Sequence, residues 1–184
     1  MKKLLALAVL LGINFNNAFS QGNFFIGDKI YPCSKELILQ EGTMTGRKLS
    51  IRIIKNNKKA FLAVKSAAMT SGLSNGKGGK IEGKMLLYLD NQTIIVLIDR
   101  GAFDKVNGVY TTIYNLTESE VKKLCETNIS SVRYGQIPFG SQQPEAFTLN
   151  NEIHKSNSFF TYDGDTPDTP KVDFPLEFNN LYKN

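Results

Sequence analysis

The sequence predicts an α+β fold that is β-dominated: antiparallel sheet built from hairpins, one short helix at about residues 117–127, and an extended C-terminal arm. Three observations predict it. Apolar residues recur at period two through much of residues 48–134, as in strands with one buried face. The runs come in pairs joined by short polar junctions, the signature of hairpins. Only the stretch after Thr117 combines a helix start signal with helical spacing.

Residues 1–20 read as an export signal. Lys2 and Lys3 precede an unbroken apolar run from Leu4 to Leu11, and Ala18-Phe19-Ser20 puts small residues at the positions required for cleavage before Gln21. The run is shorter than the roughly 20 residues that span a bilayer as a helix, and no other stretch approaches that length. A soluble exported product is therefore expected, periplasmic or secreted, with no transmembrane segment.

Lys48 to Lys55 and Lys59 to Lys65 flank Asn56-Asn57-Lys58, with Leu49, Ile51 and Ile53 alternating with Lys48, Ser50 and Arg52. This is the first hairpin. Ser66 to Gly79, rich in Gly, Ser and Ala, reads as a loop. The second hairpin is Lys80 to Leu89 and Gln92 to Asp99 around Asp90-Asn91, and Ile94 to Ile98 is so uniformly apolar that a central strand is expected. Val106-Asn107-Gly108 is a turn leading into the alternating strand Val109 to Leu116. Thr117-Glu118-Ser119-Glu120 then fits a capping box, with Val121, Leu124 and Cys125 on one helical face. Strand character resumes at Ile129 to Tyr134.

From Gln136 onward the composition shifts to Asn, Ser, Pro, Asp and Phe, so the chain divides into a β-rich domain (21–135) and an extended or partly disordered arm (136–184). In the arm, Val172, Phe174, Leu176 and Phe178 alternate with Asp173, Pro175 and Glu177. That period suits an extended segment with one apolar face, able to add to a partner's sheet edge. Pro175, which has no N–H for a ladder, would confine it to an edge.

The progression from Ile81-Glu82-Gly83-Lys84 through the Asp90-Asn91 hairpin to the helix start at Leu116-Thr117 resembles small exported β-rich proteins of Gram-negative bacteria. The resemblance covers roughly residues 24–135. It implies an exported compartment and the fold class, and brings no catalytic residues with it.

Several motifs suggest chemistry and fail on context. Gly72-Leu73-Ser74-Asn75-Gly76 matches a hydrolase elbow, with Asp99 and His154 in the expected order, but Lys77-Gly78-Gly79-Lys80 follows where a helix is required. The same glycines lack the spacing of a phosphate loop. Asp163, Asp165 and Asp168 offer calcium-type oxygens, yet Pro167 and Phe174 stand where an EF-hand loop needs ligands. Asp99 and Asp104 have no spacing that fixes them as an acid and base pair. No cofactor, metal site or catalytic residue is therefore assigned. Cys33 and Cys125 either close a long-loop disulfide in an oxidising compartment or are two small buried hydrophobes.

The clearest functional clue is charge. Residues 46–84 hold ten Lys or Arg against one acid, Glu82, while residues 136–184 hold three Lys against seven acids. Arg47, Lys48, Arg52, Lys55, Lys58 and Lys59 cluster on the first hairpin, where they suit an anionic polymer or headgroups, a lysine-rich edge that blocks aggregation, or the acidic arm itself. The expected function is an exported, non-catalytic envelope or secreted binding module, whose partner is an envelope protein or an anionic glycan and not a specific nucleic acid. The alternatives are a small hydrolase with an unrecognised site, and a structural or inhibitory protein.

Overall fold

The structure, a computed structural model, describes residues 22–40, 47–67, 79–137, 142–152 and 170–182. Residues 1–20, where an export signal is expected, lie outside the described residues, as do Gly72–Gly76, His154 and Asp163–Asp168. Among the described residues, strands β1 (Gly22–Ile26), β2 (Lys29–Cys33), β3 (Leu37–Gln40), β4 (Lys48–Asn56), β5 (Lys59–Ala67), β6 (Lys80–Leu89), β7 (Ile94–Ile98), β8 (Phe103–Val106) and β9 (Val109–Leu116) precede helix α1 (Glu118–Glu126). They are followed by β10 (Ile129–Ile137), β11 (Glu145–Asn150) and helix α2 (Phe174–Tyr182). The β-dominated α+β class is as the sequence predicts.

Two sheets form, and every pairing in them is antiparallel. The larger runs β1-β2-β4-β5-β9-β8, with β3 also paired to β4, and the smaller runs β11-β10-β6-β7. Period-two burial explains how they stack. Leu49, Ile51 and Ile53 of β4, Leu62 and Val64 of β5, and Tyr114 and Leu116 of β9 share one core with Met85, Leu87, Ile95, Leu97, Val132 and Tyr134 of the smaller sheet. Each such aliphatic side chain taken from water contributes about 1.5–3 kcal/mol. Two buried polar contacts cross between the sheets: Ser66 Oγ donates to Gln136 Oε1 at 2.7 Å, and Thr112 Oγ1 donates to the Ile81 carbonyl at 2.9 Å. They satisfy groups that would otherwise be costly to bury.

A second, smaller cluster lies on the opposite face of the larger sheet. Cys33, Ile54 and Ala63 pack there with Phe24, Ile26, Tyr31 and Phe61, and the Tyr31 and Phe61 rings meet edge to face at 5.7 Å. Between the two readings of the cysteines, this arrangement favours separate thiols. Cys33 sits opposite Ile54 on that outer face, whereas Cys125 belongs to α1 and packs against the main core, so the sheet separates the two sulfurs and no disulfide joins them. Burial pushes the Cys33 thiol up, against the lowering effect of the Arg52 guanidinium. Two thiols per chain should therefore titrate with a thiol reagent in denaturant without reductant, and Cys33 should stay unreacted in the native protein. A titre of zero in denaturant would restore the disulfide.

Helix α1 has the predicted capping box: the Glu120 N–H donates to Thr117 Oγ1 at 3.3 Å and the Thr117 N–H donates to Glu120 Oε2 at 2.7 Å. Helix α2 overturns the extended arm. Phe174, Phe178 and Leu181 are buried at helical spacing, Val172 packs at the edge of the core, and Leu176 is exposed. Asp173 caps the helix by accepting from the Leu176 N–H at 2.9 Å, and Pro175 lies in the first turn, where a missing N–H costs no helical bond. The segment is thus an integral part of the core. Asn179 Nδ2 donates to the Cys125 carbonyl at 2.9 Å, Lys35 pairs with Glu177 at 2.9 Å, and the Tyr182 hydroxyl donates to the Lys59 carbonyl. Burial pushes the Tyr182 phenol up to about 12, which keeps it a donor.

Candidate functional site: a cleft at the open edge of β7

The uniformly apolar run Ile94–Ile98 forms the last strand of its sheet, not a central one. Only Ile95 and Leu97 enter the core; Ile94, Val96 and Ile98 are 49%, 47% and 58% exposed. The ladder shows where their peptide groups go. The Leu89 N–H donates to the Thr93 carbonyl at 2.9 Å and the Asp99 N–H donates to the Gly83 carbonyl at 3.1 Å, so the odd-numbered residues bond to β6. In an antiparallel pair the intervening residues point their N–H and C=O the other way. Among the described residues, Ile94, Val96 and Ile98 therefore present both backbone groups and β-branched side chains at an edge with no proline, charge or bulge to protect it.

That edge borders a cleft because the chain changes sheets there. Asp99 is still bonded to β6, while the Ala102 carbonyl already accepts from the Ile113 N–H on β9 at 2.8 Å. The switch falls at Arg100-Gly101. Gly101 has φ +75°, a left-handed conformation that favours glycine, and its N–H donates to Asp99 Oδ1 at 2.7 Å. β8 pairs with only the first half of β9, and beside the second half, next to β7, lies a cleft of about 400 Å³.

Val96, Ile98 and Arg100 form one wall. Asn115, Leu116, Thr117 and Glu120 form the other, with Asn56, Lys59, Ala60 and Phe61 contributed by the neighbouring hairpin. The residues lining it from β7 are those whose peptide groups point outward, and by the β8–β9 alternation Asn115 turns its backbone toward the same gap. The site thus brings strand residues from two sides together in a lining that mixes polar and apolar side chains.

Its electrostatics lean positive. Lys59 and Arg100 are exposed, and among the described residues neither forms an ion pair. The one acid in the lining, Glu120, has its Oε2 occupied by the Thr117 N–H and hydroxyl, both at 2.7 Å. Asp99 stands next to Arg100 in sequence, but one of its oxygens is taken by Gly101 and its charge acts on the inward-facing Tyr114, whose phenol is raised mainly by burial.

The six basic residues singled out in the sequence do not form one face. Arg47 stacks over the Phe147 ring at 3.8 Å, and Arg52 lies 3.8 Å from Glu36 on the outer face of β4. Lys55 falls on the opposite face, 5.4 Å over the Tyr182 ring, and Lys58 pairs with Glu118 at 3.5 Å. Lys48 is half-buried beside β3, and only Lys59 reaches the cleft. Alternation itself puts Lys55, three residues beyond Arg52 on the same strand, on the opposite face. The four residues of the expected strand-adding arm are likewise not at this site but in and around α2. Asp99 and Asp104 remain apart in role, since Asp104 Oδ1 accepts from the Lys105 N–H at 2.7 Å.

Among the described residues, no group of three or more His, Cys, Asp or Glu side chains is placed to hold a metal ion, and no helix is long and apolar enough to cross a membrane. No family model matches the chain, and neither does any curated protein or solved structure.

Proposed function

We propose that the protein is an exported, non-catalytic binding module that takes an extended peptide segment of its partner as an added strand along β7. The export signal in residues 1–20 supports the compartment, and with it an envelope or secreted partner. The observation that carries the binding reading is the outward-facing backbone of Ile94, Val96 and Ile98 beside the cleft. Strand addition uses main-chain hydrogen bonds for affinity and alternate side chains for selectivity, and this edge supplies both. An anionic glycan is a weaker fit, because Arg47, Arg52, Lys55 and Lys58 are each engaged with an aromatic ring or an acid of the chain itself.

The test exploits the direction of one N–H. In Val96→Pro the lost N–H points away from β6, a position where an edge strand tolerates proline. Purified protein should bind a pool of random heptapeptides with amide chemical-shift changes centred on Ile94, Val96 and Ile98. Val96→Pro should weaken that binding about tenfold, as expected for a lost hydrogen bond and side chain, with little change in melting temperature. Shifts centred on Lys48–Lys59 and competed by heparin would instead favour the glycan.

A further inference from the structure

The cleft is open at one end and closed at the other. Continuing the β8–β9 register backward from Phe103 opposite Thr112 sets Arg100 level with Asn115, at the closed end where Ala102 is bonded to Ile113. The β5–β9 register, Ala60 opposite Leu116, sets Lys59 level with Thr117, at the open end. A strand lying along β7 cannot run through the closed end, because the Asp99–Ala102 connection crosses from one sheet to the other there. It has to stop beside Arg100.

Resting on the strand-addition reading, we infer that the bound segment is a chain terminus lying parallel to β7, with its C-terminal carboxylate at the Arg100 guanidinium. Direction follows from charge. β7 runs toward the closed end, so a parallel strand brings its C-terminus to Arg100, whereas an antiparallel one brings an ammonium group against a like charge. A guanidinium offers a planar fork of donors that matches a carboxylate. Each neighbouring acid has one oxygen engaged within the chain: Glu120 Oε2 in the capping box, and Asp99 Oδ1 by the Gly101 N–H. The last two or three residues of the partner would then be read by Val96, Ile98 and Phe61 of the lining.

Two pools of random heptapeptides, identical except that one ends in a free carboxylate and the other in a carboxamide, separate this inference from the reading beneath it. The purified protein should bind the free-acid pool about tenfold more tightly, the scale of one charge-assisted hydrogen-bonded pair. Arg100→Gln should bring that ratio close to one, Arg100→Lys should keep part of it, and Arg133→Gln, at an exposed position on β10 outside the cleft lining, should leave it unchanged. Equal binding of both pools, with shifts still centred on β7, would overturn the terminal carboxylate and leave strand addition standing. A ratio abolished by Lys59→Gln but kept by Arg100→Gln would place the carboxylate at the wrong end and equally overturn it. Binding of neither pool would remove both.

Discussion

Phe178→Ala should lower stability by about 3–5 kcal/mol, enough to shift the melting temperature by on the order of 10 °C in a chain of this size. Phe178 is fully buried between Phe174 and Leu181 on the inward face of α2, so truncation leaves a cavity that a packed core refills poorly. Urea unfolding followed by fluorescence would measure the loss, and exposed Leu176→Ala on the same helix is the control, expected to change stability by less than about 1 kcal/mol. If Phe178→Ala cost no more than Leu176→Ala, the C-terminal segment would not be docked.

Asn151→Ala should cost about 2–4 kcal/mol, since it strips three hydrogen bonds from backbone groups, one buried and two part-buried. Asn151 is buried just beyond β11. Its Nδ2 donates to the Ile129 and Val172 carbonyls, both at 2.8 Å, and its Oδ1 accepts from the Val172 N–H at 2.8 Å. Asn128 closes the same clamp, with Nδ2 donating to the Val172 carbonyl at 3.0 Å and Oδ1 accepting from the Phe174 N–H at 3.1 Å. These two side chains fix the path by which the C-terminal segment enters α2. A double-mutant cycle of Asn151→Ala with Phe178→Ala should therefore show coupling of about 0.5–3 kcal/mol, because loosening the entry loosens the helix that Phe178 anchors. Strict additivity would mean that the clamp and the helix hold independently.

The error over residues 172–178 is instructive because its corrective signals are local. Val172, Phe174, Leu176 and Phe178 satisfy period two over a short stretch, but Phe174, Phe178 and Leu181 satisfy the helical period over a longer one. Asp173 at the cap and Pro175 in the first turn are helix-start residues. Extending the window to Leu181 separates the two readings. For β7 no such extension helps. Ile94-Ile95-Val96-Leu97-Ile98 reads alike whether both faces are buried or one is, and its place at the edge depends on what packs beside it.

By itself the sequence determined the antiparallel hairpins β4–β5 and β6–β7, the strands β9 and β10, and the capped helix α1, because turn residues, alternation and capping act over a few neighbouring positions. Only the tertiary structure decided which strand lay at an edge, which sheet face held Cys33 and which held Cys125, and how far the basic residues were divided among partners. The cleft belongs to that second group. It exists because β7 and β8 belong to different sheets, and bringing Arg100 and the last residues of β9 to one cleft depends on chain crossing in space, which no run of neighbouring residues records.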